Sequence, residues 1–287
     1  MSPASLRRRD LFALSLMVFG LSARAVPNTD HAGAWGVDYG HATDPAVARR
    51  FRLLVLEPDF PRPLAPLRAE GSRLLGYISM GEVHGGRPFV PELERAGALR
   101  QSNPNWPDAR LVDLRDPTWT KLVLDRLVPA ILEKGYDGIF MDTLDNAEAL
   151  ERQDADRNKG MTAAAARLVA AIRERFPGIT IMMNRGYGLL PAVATRIDLV
   201  LGEAMASRWN FADGRYEMTS ADDWAWQAGH LLAARQLNPR LVLATLDYWD
   251  PQDEATVASL YARERAAGFQ PYVSTLALDR LIPEPRS

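Results

Sequence analysis

The sequence predicts an α/β fold, a (β/α)8 TIM-like barrel in a single domain, on three observations. Eight short, nearly continuous apolar runs recur along the chain, as expected of strands buried on both faces in a parallel sheet. Helical patterns with one apolar face separate them. No run leads into a glycine-rich phosphate turn such as G-x-G-x-x-G, which speaks against a doubly wound open sheet.

The runs are Ala34–Asp38, Leu53–Leu56, Leu74–Ser79, Gly138–Asp142, Ile179–Asn184, Leu199–Glu203, Leu241–Leu246 and Pro271–Thr275. The clearest helix between them is Pro117–Lys134, with Trp119, Leu122, Val123, Leu127, Ala130 and Ile131 as its apolar face. Asp116 is placed to cap it and Pro117 takes the first helical position. Met161–Phe176, Asp222–Gln236 and Gln252–Ala267 read as further helices, and Pro45–Phe51 and Pro63–Glu70 as weaker ones. Two long excursions remain, Val83–Arg110 after the third strand and Thr143–Gly160 after the fourth. Both would rise from the C-terminal face of the barrel, where long loops build sites.

Residues 1–25 read as a signal peptide of twin-arginine type, and residues 26–287 as the barrel domain. Arg7, Arg8 and Arg9 precede the apolar stretch Leu11–Leu21, which is too short to span a bilayer comfortably. Ala23 and Ala25 supply the small residues of a cleavage site. The expected location is therefore periplasmic or extracellular. Removing the segment takes away four Arg and one Asp and moves the net charge from −2 to −5. The chain has no cysteine, so a sizeable core rather than a disulfide framework must hold an exported protein. No later apolar stretch approaches membrane-spanning length, and no basic run follows the first ten residues. The mature protein is thus expected neither to embed in a membrane nor to bind nucleic acid.

In a barrel, chemistry collects at the C-terminal strand ends. Read in order, those ends carry Asp38 and Tyr39, Glu57 and Asp59, Tyr77, Ser79 and Glu82, Asp142 and Asp145, Asn184 and Arg185, Glu203, Asp247, Tyr248 and Trp249, then Tyr272 and Ser274. This rim is acidic and aromatic. A metal-dependent hydrolase needs clustered histidines and carboxylates, but the four histidines (His31, His41, His84, His230) share no short spacing. A Schiff base needs a lysine at a strand end, and Lys121, Lys134 and Lys159 lie elsewhere. No G-x-S-x-G motif occurs. Neither a metal nor an organic cofactor is expected.

Carboxylate chemistry remains. Two acids facing each other across a cleft can split a glycosidic bond, one protonating the leaving oxygen while the other attacks or activates water. Asp142 and Glu203 each end an apolar strand with no turn residue between, a costly place for an acid without a partner. Asp44, Asp116 and Asp250 each precede a proline at a helix start and read as caps. Asp145 reads equally as cap or substrate contact. Tyr39, Tyr77, Trp209, Tyr248 and Trp249 offer aromatic surface for sugar rings.

Five segments, WGVDYG (Trp35–Gly40), LLGYISMGEV (Leu74–Val83), LVDLRDPTW (Leu111–Trp119), GYDGIFMDTLD (Gly135–Asp145) and LVLGEAM (Leu199–Met205), resemble the endo-α-1,4-polygalactosaminidase family, glycoside hydrolase family 114. The resemblance covers nearly the whole mature chain. It implies a TIM-like barrel that hydrolyses an α-1,4-linked galactosamine polymer, with Asp142 as nucleophile and Glu203 as general acid/base. The first segment departs from the family at Trp35 and Val37, so sugar contacts at the first strand can differ. The expected substrate-binding set is Asp38, Tyr39, Tyr77, Glu82, Asp145, Asn184, Arg185, Trp209, Asp247 and Tyr248. The acidic rim suits a cationic amino-sugar polymer as partner. The alternative readings are a carbohydrate-binding barrel without turnover, against which the paired carboxylates speak, and a polysaccharide deacetylase, against which the scattered histidines speak.

Overall fold

The computed structural model describes residues 33–103 and 106–285; the proposed export segment lies outside them. All eight predicted runs form strands, within two residues at either end: β1 (Trp35–Asp38), β2 (Leu53–Leu56), β3 (Arg73–Ser79), β4 (Gly138–Asp142), β5 (Thr180–Asn184), β6 (Leu199–Glu203), β7 (Val242–Tyr248) and β8 (Gln270–Ser274). They pair in parallel and in chain order in one sheet. No backbone ladder joins β8 to β1 among the described residues. Side chains close that gap. The Trp35 indole N–H donates to the Gln270 carbonyl at 2.8 Å, and its ring stands 5.5 Å from that of Tyr272. Beyond β8 the chain returns to β1, where the Tyr39 N–H donates to the Leu278 carbonyl at 2.6 Å. The result is a nearly closed (β/α)8 barrel.

Helices cover the outside. Met161–Arg175 buries Ala164, Ala165, Leu168, Val169 and Ile172, the stripe that a 3.6-residue repeat puts on one face. The predicted helix Pro117–Lys134 is interrupted: α-helical turns at Pro117–Leu122 and Val128–Glu133 flank a π turn at Val123–Leu127. Pro129 accounts for it. Proline lacks an N–H and its ring crowds the carbonyl four residues back, so the chain widens and the Val128 N–H reaches Val123. The two weaker helices shrink to Pro45–Ala48 and a single 3-10 turn at Ala65–Leu67. The first excursion is a three-stranded antiparallel sheet (Glu82–His84, Leu99–Ser102, Ala109–Val112) with a helix at Val90–Ala96. The second is largely helical, Asp145–Gln153 and Ala155–Asn158. Asp44 and Asp116 cap as expected, accepting from Ala46 and Thr118 N–H. Asp250 instead holds a turn through Gln252 N–H, and Asp253 caps the helix Glu254–Ala266.

A repeated device fixes the barrel floor. Asp137, just before β4, accepts from Arg68 at 2.6 Å and from the Leu74 N–H at 2.7 Å. Asp198, just before β6, accepts from Arg173 at 2.6 Å and from the Ile181 N–H at 2.8 Å. Each carboxylate thus ties the start of one strand to its neighbour and to an arginine from the outer layer. Charge-assisted bonds of this kind are the strong ones.

Two residues expected at the substrate do not face it. Asp38 is fully buried, and its oxygens accept from the Gly40 N–H and the Thr43 hydroxyl, both at 2.7 Å. It folds the turn after β1. Asp247 is also fully buried. Adjacent strand residues point to opposite faces; Tyr248 reaches Glu203, and Asp247 turns to the other side. There Oδ1 accepts from the Ala206 and Ser207 N–H groups at 2.7 and 2.8 Å, securing the segment that follows β6. Burial, and then the charge of Glu264, push the Asp247 carboxyl up to about 7.

A carboxyl raised in the folded state keeps its proton while the unfolded chain ionises. Its stabilising effect is therefore complete below about pH 4 and is lost as pH rises towards 7. Asp247→Asn keeps the acceptor oxygen and cannot ionise. Urea unfolding should find it more stable than the parent above pH 7, with the gap closing on acidification; a pH-independent gap would contradict the assignment.

Candidate active site

Asp142, Asn184 and Glu203 are the last residues of β4, β5 and β6. The residue after each one takes a left-handed backbone: Thr143 at φ 63°, Arg185 at 49° and Ala204 at 54°. Side-chain-bearing residues adopt this region only when surrounding structure holds them there. Here strand pairing does so. The Arg185 N–H donates to Leu201 O and the Ala204 N–H to Leu246 O, both at 2.8 Å. The Thr143 N–H donates to Oδ1 of Asp142 at 2.8 Å, and its hydroxyl oxygen accepts from the Gly81 N–H at 2.8 Å. Gly81 admits no side chain, since a Cβ would lie 2.1 Å from the Thr143 carbonyl oxygen. Three neighbouring strands therefore stop abruptly, with one polar side chain each on the barrel mouth.

Asn184 joins the two acids. Its Nδ2 donates to Oδ1 of Asp142 at 2.9 Å and to Oε2 of Glu203 at 2.6 Å. A tyrosine supports each acid from the far side: Tyr77 donates to Oδ2 of Asp142 at 2.9 Å, and Tyr248 to Oε1 of Glu203 at 2.5 Å. Burial, and then the nearby carboxylate charge, hold both phenols far above their ordinary range, so they act as neutral donors. Glu203 lies at the bottom of the cleft. Burial, and then the charge of Asp142, raise its carboxyl, while Tyr248 and Asn184 partly offset the rise. Glu203 is thus drawn towards its protonated form, and the Asp142 side chain accepts from three donors.

The cleft above them measures about 510 Å³. Of the sequence-predicted set, Tyr77, Glu82, Asp142, Asp145, Asn184, Arg185 and Glu203 line it. Tyr39 stands edge-on to Tyr77 at 5.2 Å, and burial, then the charge of Asp142, raise its hydroxyl. Asp145 is the first residue of its helix, not the cap; burial raises its carboxyl and the Arg185 charge opposes this. Trp209 sits apart, on the hairpin Ser207–Asn210/Arg215–Met218 against Tyr216 at 4.8 Å. Four lining residues escaped the sequence reading: Asn103, Trp106, Thr143 and Asn146. Asn103 and Asn146 donate to Oε2 of Glu82 at 2.7 and 3.4 Å, and Trp106 forms an exposed wall. Asn146 lies four residues after Asp142, just inside the helix Asp145–Gln153.

Known proteins carry the same architecture. The model of glycoside hydrolase family GH114 matches residues 21–286. The glycoside hydrolase domain of PelA from Pseudomonas aeruginosa is 29% identical, with a TM-score of 0.75, over 87% of this chain and 99% of that one. A protein of Deinococcus radiodurans described as uncharacterized is 28% identical over 267 residues, 86% of this chain and 82% of the relative. Ega3 from Aspergillus fumigatus, solved in complex with galactosamine, shares the fold at 16% identity and a TM-score of 0.63, over 89% of this chain and 96% of that one. Two carboxylates at the mouth of a parallel barrel are what glycosidic hydrolysis requires, and with the family match along nearly its whole length the chain belongs to glycoside hydrolase family GH114.

Proposed function

We propose that the protein is an exported hydrolase of an amino-sugar polysaccharide, rich in galactosamine, that works with retention of configuration. The observation that carries the mechanism is the shared amide. The facing oxygens of the two acids, bonded to one nitrogen at 2.9 and 2.6 Å, lie no further apart than the two lengths together, about 5.5 Å, which favours a close pair. Carboxyl pairs about 5–5.5 Å apart serve retaining hydrolases, whereas inverting pairs need about 6.5 Å or more to admit water. In the first step Asp142 attacks the anomeric carbon, and Glu203 gives its proton to the departing oxygen. In the second, Glu203 takes a proton from water, which displaces Asp142 from the sugar.

The amino-sugar reading draws on two supports. Ega3 was solved with galactosamine. Beyond the reacting pair, the cleft here carries two further acids, Glu82 and Asp145, with one arginine, Arg185, a balance that favours cationic sugars. Export rests on the sequence of residues 1–25; among the described residues no helix is long and apolar enough to cross a membrane.

Asp142→Asn and Glu203→Gln should each lower the release of reducing ends from a galactosamine-rich polymer about a thousandfold, with unfolding midpoints unchanged. Full activity in both variants would remove the pair from the chemistry, and a wild type that binds polymer without shortening it would identify a binding module instead. Tyr248→Phe removes a donor that holds the Glu203 carboxyl down. The alkaline limb of the kcat/KM profile, which reports the general acid, should therefore move to higher pH, with activity about tenfold lower. An unmoved limb would show that Glu203 is not that acid.

A further inference from the structure

The helix Ala221–Leu237 follows β6 and is apolar on more than its inner side. Gln227, Ala228, Leu231 and Ala234 are buried, yet Trp226 on the outer side remains 57% exposed. This indole is held in place. Tyr187 meets it edge-on at 5.4 Å and 84°, and His230 at 4.7 Å and 75°. Tyr187 and His230 stack on each other at 5.3 Å. The three ring centroids stand 4.7, 5.3 and 5.4 Å apart, so both partners approach the indole from one side, and more than half of Trp226 stays exposed. The support is also tied to the active site. The Tyr187 hydroxyl donates to Gln227 at 2.6 Å, and the Gln227 amide donates to the carbonyl of Ala204 at 3.1 Å, next to Glu203. Tyr187 itself lies two residues beyond the cleft-lining Arg185.

A carboxylate completes the arrangement. Helical side chains lean towards the N-terminus, so the surface beside Trp226 lies over the turn that carries Asp222, four residues earlier. Asp223 is engaged in the helix cap with Ser220. Asp222 is exposed, and the hydrogen bonds and ion pairs of the described residues do not include it.

We propose that Trp226 and Asp222 form a second polysaccharide-binding site, on the flank of the barrel, that takes an amino-sugar unit of the polymer whose neighbouring stretch occupies the cleft. The proposal rests on the amino-sugar reading given above. An indole face accepts the C–H face of a pyranose ring and attracts an ammonium group, and the carboxylate one turn away pairs with that ammonium. A fixed indole binds at little entropic cost. A protein partner would also use an exposed tryptophan, but the charge beside it and its linkage to the cleft favour the polymer.

The test uses affinity electrophoresis in gels containing a soluble, partly N-acetylated galactosamine polymer, with Glu203→Gln as the inert parent. Adding Trp226→Ala should weaken retardation roughly fivefold, and adding Asp222→Asn should weaken it less and flatten its salt dependence. In the active background, Trp226→Ala should keep kcat/KM on short galactosamine oligomers while losing rate on the polymer. Equal retardation of parent and Trp226→Ala would overturn the second site alone. Sedimentation showing that Trp226→Ala converts a dimer to monomers, with retardation unchanged, would assign the face to protein association and overturn it too. A parent that the polymer does not retard at all, with an active enzyme that cuts a neutral polymer, would bring down the amino-sugar reading and this proposal with it.

Discussion

Two acids this close, at the bottom of a cleft, repel each other and lose hydration, and the rest of the site answers that constraint. The Asn184 amide gives one hydrogen to each acid, so it sets their separation and reduces their repulsion at once. The outer oxygens face tyrosines, whose phenols stay protonated beside negative charge. Each acid is thereby held from two sides by neutral donors.

The barrel makes this placement possible because its strands are buried on both faces. Polar groups are expelled to the strand ends, and an apolar run that stops on an acid is therefore conspicuous in the sequence. All eight strands were legible, and so was the place of Asp142 and Glu203 at the ends of two of them. Asp38 and Asp247 give the same linear signal, an acid at a strand end, yet they hold turns. The difference lies in side-chain alternation, which depends on which neighbour faces inwards. Tyr248 does so at the end of β7, and that decides Asp247. Where an apolar run is continuous, no change of polarity marks the face, so the inward register could not be read from the sequence.

The cleft walls were less legible still. Asn103 and Trp106 reach the site by way of an antiparallel sheet whose strands pair Glu82–His84 with Ala109–Val112, a long-range contact with no periodic trace in a Gly- and Pro-rich stretch. Asn146 was obscured because a charged segment read as loop is helical. Pro129 shows the opposite failing: the apolar periodicity around it is correct, and the local widening it forces is invisible to periodicity.

The left-handed residues Thr143, Arg185 and Ala204 link these levels. Each costs about 1–3 kcal/mol against an ordinary conformation, and glycine would relieve it. Their positions, one after each of Asp142, Asn184 and Glu203, indicate what the cost achieves. A glycine at such a hinge would widen the accessible backbone and let the preceding side chain wander. A residue with a Cβ leaves one way to turn when it is pinned, as Arg185 and Ala204 are by bonds to the next strand and Thr143 by bonds with Asp142 and Gly81. The three side chains come from adjacent strands of one sheet, so fixing each turn fixes their mutual distances. The geometry of the acid pair is thus a property of the sheet's hydrogen bonding as much as of the two acids themselves.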